Sequence, residues 1–327
     1  MNSTIKLQWW EITLHNLEKY FTQLNLPEKA IKMVKYQLNT GGKKIRPQLA
    51  IWVQEAYQQP LEDIVDFAAG VEIFHNASLI HDDIQDKDTI RRGKPAAWTI
   101  FSEEQGINLG DLLFTLAFEM FNKSNLPDDI KLKLILLSNT CLRKVIEGQI
   151  LEFEIKQLNR WDEKFWLEIV KRKTGSLFIL PLRGAGIIAK APSDEIDMLE
   201  DLGLQLGTLF QLRDDIIDFI GSKEGREAGG DIKEGKPTLL ASIYFAQEKN
   251  QSSASKIRQI LTKPKEKTSP QEVEEVIKRY HQQKCLELAQ KKYLNLESNL
   301  KKSDIIKRNS NLAIKIDSIL ESLTIGL

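Results

Sequence analysis

The chain has 327 residues, 42% of them hydrophobic and 28% charged, which excludes an intrinsically disordered protein and allows a substantial core. Lysine plus arginine balances aspartate plus glutamate at 46 each, which argues against wholesale nucleic-acid binding. Cys141 and Cys285 lie far apart with no CxxC spacing, which excludes a disulfide framework or zinc site and fits a reducing compartment. There is no secretory leader pattern and no run of about 18 apolar residues, so a cytoplasmic protein without a transmembrane segment is expected.

The first element is a glycine pair opening the segment GGKKIRP, where Lys43, Lys44 and Arg46 precede a helix whose first turn suits Pro47. Alone this is a weak phosphate signal, equally readable as a solvated basic turn. Residues 63–83 set Ile64, Phe67, Ala68, Val71 and Phe74 at helical spacing. That helix runs into an acidic cluster, Asp82, Asp83, Asp86 and Asp88, followed by Arg91 and Arg92. Residues 111–121 and 131–155 read as further helices. Pro181, inside a helical stretch, predicts a kink or break. A second acidic cluster, Asp214, Asp215 and Asp218, lies in LRDDIIDF. The segment LTKPKEKTSPQEVEE reads as an exposed connection between late helices. Period-two alternation is absent and no composition shift divides the chain. An all-α protein with one domain over residues 1–327 is expected.

Asp82 and Asp86 are four residues apart and project from one helix face, where like charges destabilise a bare helix. The chain has 19 aspartates. Chance then yields only about 0.06 DDxxD matches per chain. One copy alone is readable as a solvated face, but both copies sit inside strongly apolar helices. Oxygen ligands without interleaved histidine or cysteine suit Mg²⁺, which takes one or two carboxylates and completes its shell with water and phosphate oxygens. Two such helices facing one another would hold a diphosphate through metal ions, and the cations would offset the repulsion. Arginine forks match phosphate oxygens, so Arg91 and Arg92 are candidate diphosphate ligands. His75, seven residues before Asp82, lies on nearly the same face. A lone histidine there is more often a core residue, but the alignment favours a ligand contact.

The segments GGKKIRP, HNASLIHDDIQD, RRGKPAAW, GDLL, KTGSLF, FQLRDDIIDFIG and GKPT, in this order, resemble the trans-isoprenyl diphosphate synthases, the helical head-to-tail prenyltransferases. The resemblance implies a single large helical bundle of the isoprenoid synthase type with a central cavity. It implies Mg²⁺ held by Asp82, Asp86, Asp214 and Asp218, with Asp83 and Asp215 supporting the acidic clusters. It places Arg91, Lys173, Thr174, Gln211 and Lys236 at the allylic diphosphate (dimethylallyl, geranyl or farnesyl), and Lys43, Arg46, His75 and Arg92 at isopentenyl diphosphate. For Lys173-Thr174 the alternative is an ordinary helix turn. Where the family often has a lysine, this chain offers Arg226. The resemblance also implies a homodimer and a product tunnel running back from Asp82. Ala77 and Ser78 are small, so the tunnel is expected to be open there, with a plug deeper at Phe74 or in the stripe Phe114, Phe118 and Phe121. A product near twenty carbons, such as geranylgeranyl diphosphate, is expected if that plug closes, and a longer polyprenyl chain if not. That stripe is also readable as plain core or dimer interface. The rivals are a class I terpene cyclase or head-to-head synthase, whose metal motifs are built or spaced differently, and a non-catalytic synthase subunit, which usually lacks one aspartate motif.

Overall fold

The computed structural model describes residues 20–221 and 228–324, so Arg226 lies outside the described residues. Among the described residues there are sixteen α-helices and one two-stranded ribbon. In chain order the first are α1 (Glu28–Leu38), α2 (Ile45–Ala56) and α3 (Val65–Gln85), then the strands β1 (Ile90–Arg91) and β2 (Lys94–Pro95). There follow α4 (Ala97–Phe101), α5 (Glu103–Lys123), α6 (Asp128–Leu158) and α7 (Glu163–Val170). A π-helical turn, Lys171–Gly175, leads into α8 (Ser176–Ile188) and α9 (Ser193–Ile220). The rest are α10 (Gly230–Glu234), α11 (Leu239–Gln247), α12 (Gln251–Leu261), α13 (Pro270–Gln282), α14 (Cys285–Lys301), α15 (Asp304–Arg308) and α16 (Ser310–Thr324). None of these helices is long and apolar enough to cross a membrane.

The chain forms two compact units, one of residues 1–139 with 180–196, the other of residues 140–179 with 197–327. The first is built around α3. This helix is apolar on nearly every side, so it is buried along most of its length, with Phe67, Ile73, Phe74 and Ala77 wholly covered. Its neighbour α5 turns Leu109, Leu113, Leu116, Met120 and Phe121 inward. Close approach of the two depends on Gly70, where a Cβ would lie 2.4 Å from the Phe121 ring.

In the second unit α9 lies against the π-turn and the start of α8. A Cβ on Gly207 would stand 2.6 Å from the Cα of Gly175, and one on Gly203 2.8 Å from the Ile179 backbone. This contact brings the C-terminal half of α9, with Gln211 and Asp215, beside Thr174. The break expected at Pro181 does not occur, because α8 runs through it. The carbonyl that Pro181 leaves without its helical partner belongs to Leu177, in the first turn of α8. Only residues 262–269 of the segment 261–275 connect α12 and α13, with Thr268 buried among them, and a capping box of Ser269 with Glu272 starts α13, which takes up residues 270–275.

Candidate active site

The two aspartate motifs share a half-buried first aspartate followed by a buried one, and differ at the last position. In the first, Asp82 and Asp86 are half-buried on one face of the end of α3, while Asp83 is buried. Asp83 accepts a 2.7 Å hydrogen bond from Arg91 Nε and a second from Nη2. Burial pushes its pKa up to about 6 against the pull of Arg91. Such a pair is close to break-even in stability and acts mainly as a geometric fixture. In the second motif, Asp214 is half-buried while Asp215 and Asp218 are buried. Asp215 accepts from Gln211 Nε2 at 3.0 Å, Trp166 Nε1 at 3.0 Å and the Leu239 N–H at 2.9 Å. Burial raises its pKa to about 7 despite these donors. Asp218 accepts the Asp231 N–H at 2.8 Å, fixing the start of α10.

The two adjacent arginines are turned apart at the tip of a tight hairpin. β1 and β2 pair antiparallel, and the linking Arg92 and Gly93 both have positive φ, 53° and 73°. Left-handed backbone at both central positions matches the right-handed twist of the flanking strands. Arg91 therefore points to Asp83, while Arg92 donates to the Gly41 carbonyl. The guanidinium lies where a Cβ on Gly42 would be, 2.4 Å from its carbon, and Gly42 has φ +104°. The glycine pair of GGKKIRP is thus a backbone seat for Arg92.

Behind it, Arg46 Nη1 donates to His75 Nε2 at 3.0 Å, with both side chains buried. The acceptor role leaves His75 neutral with its proton on Nδ1. Burial, then the charges of Arg46, Arg92, Lys44 and Arg91, hold its pKa well below the usual range. One carboxylate balances this cationic group. Glu72, buried in α3, accepts from Lys44 Nζ at 3.0 Å and from Asn76 Nδ2 at 2.9 Å. Lys43 is exposed beside it. The first unit therefore gathers Lys44, Arg46 and Arg92 around His75 in one basic cluster, an arrangement suited to a polyanion, with Lys43 exposed next to Lys44 in the chain.

In the second unit the π-turn carries Lys173 and Thr174. Such turns often mark functional sites in helices. Lys173 Nζ pairs with Glu152 at 3.0 Å, and Thr174 Oγ1 donates to Gln211 Oε1 at 2.8 Å. Lys236 pairs with Glu234 at 2.7 Å. Glu72, Glu152, Trp166 and Glu234 were not singled out in the sequence. Only Glu72 left a signal there, as a charge three residues before His75 within an apolar helix.

Among the described residues no three histidine, cysteine, aspartate or glutamate side chains form a ready-made metal nest. Half-buried aspartates one turn apart still fit Mg²⁺, which needs only one or two protein carboxylates when phosphate and water supply the rest.

Phe74 is wholly buried and edge-on to the half-buried Phe114, ring centroids 5.2 Å apart. Ala77 is wholly covered, and the buried Ser78 donates its hydroxyl to the His75 carbonyl at 2.8 Å. Phe121 packs on Phe67 at 5.2 Å and so belongs to the core. Phe118 is half-buried, 6.2 Å from Phe121.

Residues 27–280 match the family model for polyprenyl synthetase. A short chain isoprenyl diphosphate synthase of Methanothermobacter thermautotrophicus is 36% identical over 68% of this chain and 70% of its own. An octaprenyl diphosphate synthase of Escherichia coli is 33% identical over 66% of this chain and 67% of its own. A crystal structure of geranylgeranyl pyrophosphate synthase superposes with a TM-score of 0.86 at 26% identity, covering 99% of this chain and 98% of that one. The chain belongs to the polyprenyl synthetase family, and it is a prenyltransferase of the all-α isoprenoid synthase fold.

Proposed function

We propose that the chain condenses isopentenyl diphosphate head-to-tail with an allylic diphosphate, in the presence of Mg²⁺, to a product near twenty carbons. The observation that carries this reading is the paired pattern in the two motifs: Asp82, Asp86 and Asp214 half-buried, their neighbours Asp83 and Asp215 engaged in buried contacts. Asp82, Asp86, Asp214 and Asp218 would hold Mg²⁺, which would supply charge neutralisation for the departing diphosphate. Arg91, Lys173 and Lys236 add cationic contacts to the allylic diphosphate. Lys43, Arg46, His75 and Arg92 hold isopentenyl diphosphate so that its double bond stands beside the reacting carbon. The allylic carbon–oxygen bond breaks with its electron pair leaving on diphosphate. The alkene π pair forms the new carbon–carbon bond, and the released diphosphate takes the proton. Thr174 turns an oxygen dipole towards the cation while Gln211 accepts its proton, and the site excludes water that would quench the cation.

The family match runs unbroken from residue 27 to 280, which supports one catalytic domain over the chain. Leu132, Leu136, Ile146, Ile150 and Phe153 are exposed large apolar residues on α6, which supports a homodimer. Cys141 and Cys285 are buried thiols, in keeping with a cytoplasmic location. Relatives similar at 36% and 33% carry names for different product lengths, so overall similarity does not choose among them. The small Ala77 and Ser78 favour a longer polyprenyl product as the second reading, should neither Phe74 nor Phe118 limit growth.

Diphosphate release by the purified chain tests the reaction class. Release that needs both substrates and Mg²⁺, and stops with a chelator, is expected. Release from the allylic diphosphate alone indicates a cyclase, and no release indicates a non-catalytic subunit.

A further inference from the structure

We infer that Asp215 is a positioning residue that sets the hydrogen-bond direction through Gln211, so that Thr174 presents lone pairs rather than a proton to the allylic cation. The inference rests on the proposed reaction and deepens it. Asp215 does not act here as a metal ligand, and its contacts explain why.

Three donors from three elements converge on this carboxylate. Trp166 Nε1 of α7 and the Leu239 N–H at the start of α11 both donate to Oδ2, at 3.0 and 2.9 Å. Gln211 Nε2, one turn earlier on α9, donates to Oδ1 at 3.0 Å. The Trp166 and Leu239 N–H groups fill Oδ2 and Oδ1 accepts from Gln211 Nε2, so the Gln211 amide stands with its nitrogen to Asp215 and its oxygen to Thr174. Thr174 Oγ1 then donates its one proton to Gln211 Oε1 at 2.8 Å. Every proton in the chain points towards Asp215. The outward side of Thr174 Oγ1 is left with lone pairs alone, the negative end of a fixed dipole. A carbocation is stabilised by that end and destabilised by an O–H pointing at it. A dipole already oriented before reaction costs no reorganisation when charge develops. Trp166 contributes by locking the carboxylate plane, since it and Leu239 hold Oδ2 while Oδ1 faces Gln211.

The geometry also fixes what Asp215→Asn would do. Two N–H donors hold the Oδ2 position, so the asparagine oxygen takes it and its NH₂ takes the Oδ1 position. That NH₂ donates to Gln211 Oε1, the Gln211 amide turns round, and its nitrogen donates to Thr174. Thr174 is then left with its O–H pointing outward, and the chain has reversed polarity.

The test is a double-mutant cycle on single-turnover rate, with Michaelis constants for both substrates and thermal unfolding recorded alongside. Thr174→Val is expected to slow the wild-type enzyme about tenfold, with each Michaelis constant moving less than about threefold. In the Asp215→Asn background the same change is expected to leave the rate unaltered or to raise it, because it removes an adverse dipole. Gln211→Leu cuts the chain without touching the other anchors of Asp215. It supplies a second cycle with Thr174→Val, and this cycle decides the matter if Asp215→Asn does not fold. There the Thr174→Val penalty is expected to fall below about threefold. Penalties that simply multiply in the cycle that can be measured overturn the inference while the functional reading stands. Absence of elongation by the wild-type chain overturns both.

Discussion

Replacing Phe74 by alanine puts the product-length account under the most direct strain. The side chain is wholly buried and edge-on to Phe114 at 5.2 Å. Truncation removes six ring carbons, slightly more than the five of one isoprene unit, so the space released accommodates about one further condensation. The change also costs stability. Burial of this kind sets the loss at about 3–5 kcal/mol, with the edge-on pair lost as part of it. Large domains lose about 2–4 °C of Tm per kcal/mol, so a fall of about 6–20 °C is expected. Turnover is therefore measured well below the variant's unfolding temperature. Products from isopentenyl diphosphate and an allylic primer are dephosphorylated and separated by chromatography. The main product is expected to lengthen by at least one isoprene unit. Phe118→Ala is the parallel case at a half-buried ring, and Ala77→Phe is expected to shorten the product, with overpacking costing about 1–3 kcal/mol. A folded Phe74→Ala enzyme whose products are unchanged, together with unchanged products in the other two variants, refutes the tunnel along α3.

The remaining expectations concern the ligands and protonation. Asp82→Ala, Asp86→Ala and Asp214→Ala each lower turnover by at least about 10²-fold while Tm stays near the wild-type value, measured by steady-state kinetics and thermal scans; wild-type turnover in Asp82→Ala at ordinary Mg²⁺ removes the metal assignment. Arg46→Ala or His75→Ala raises the Michaelis constant for isopentenyl diphosphate more than that for the allylic substrate, and the opposite pattern reassigns the basic cluster. The pKa of folded His75 lies below its unfolded value, so the unfolded chain takes up the proton first and stability falls as pH drops through about 6.5. At pH 5.5 this one group removes about 1 kcal/mol, so the slope of Tm against pH should flatten in His75→Gln. An unchanged slope contradicts the neutral, buried state.

Helix positions were legible because the apolar spacing of residues 63–83, 111–121 and 131–155 is strong, and all three lie in α3, α5 and α6 to within two residues. The pairing of Asp82 with Asp86 was legible for the same reason, since four residues make one turn. The distinction between Asp82 and Asp83, or Asp214 and Asp215, was not. Adjacent aspartates are chemically identical in sequence and differ only in which side of the helix is covered, and that depends on Arg91 and Trp166, distant in the chain. The π-turn at Lys171–Gly175 was equally hidden, because it needs the close contact of Gly207 with Gly175 across some thirty residues. At Pro181 the sequence shows the hydrogen bond lost at the Leu177 carbonyl but not the burial on either side, at Leu180 and Leu182, that accompanies an unbroken α8.

The most direct test of head-to-tail elongation is the carbon number of the product formed by the purified chain from isopentenyl diphosphate, an allylic diphosphate and Mg²⁺. The account predicts a prenyl alcohol, after dephosphorylation, that exceeds the primer by whole five-carbon units and stops near twenty carbons. Consumption of the allylic diphosphate with no extended product, with isopentenyl diphosphate left untouched, contradicts it.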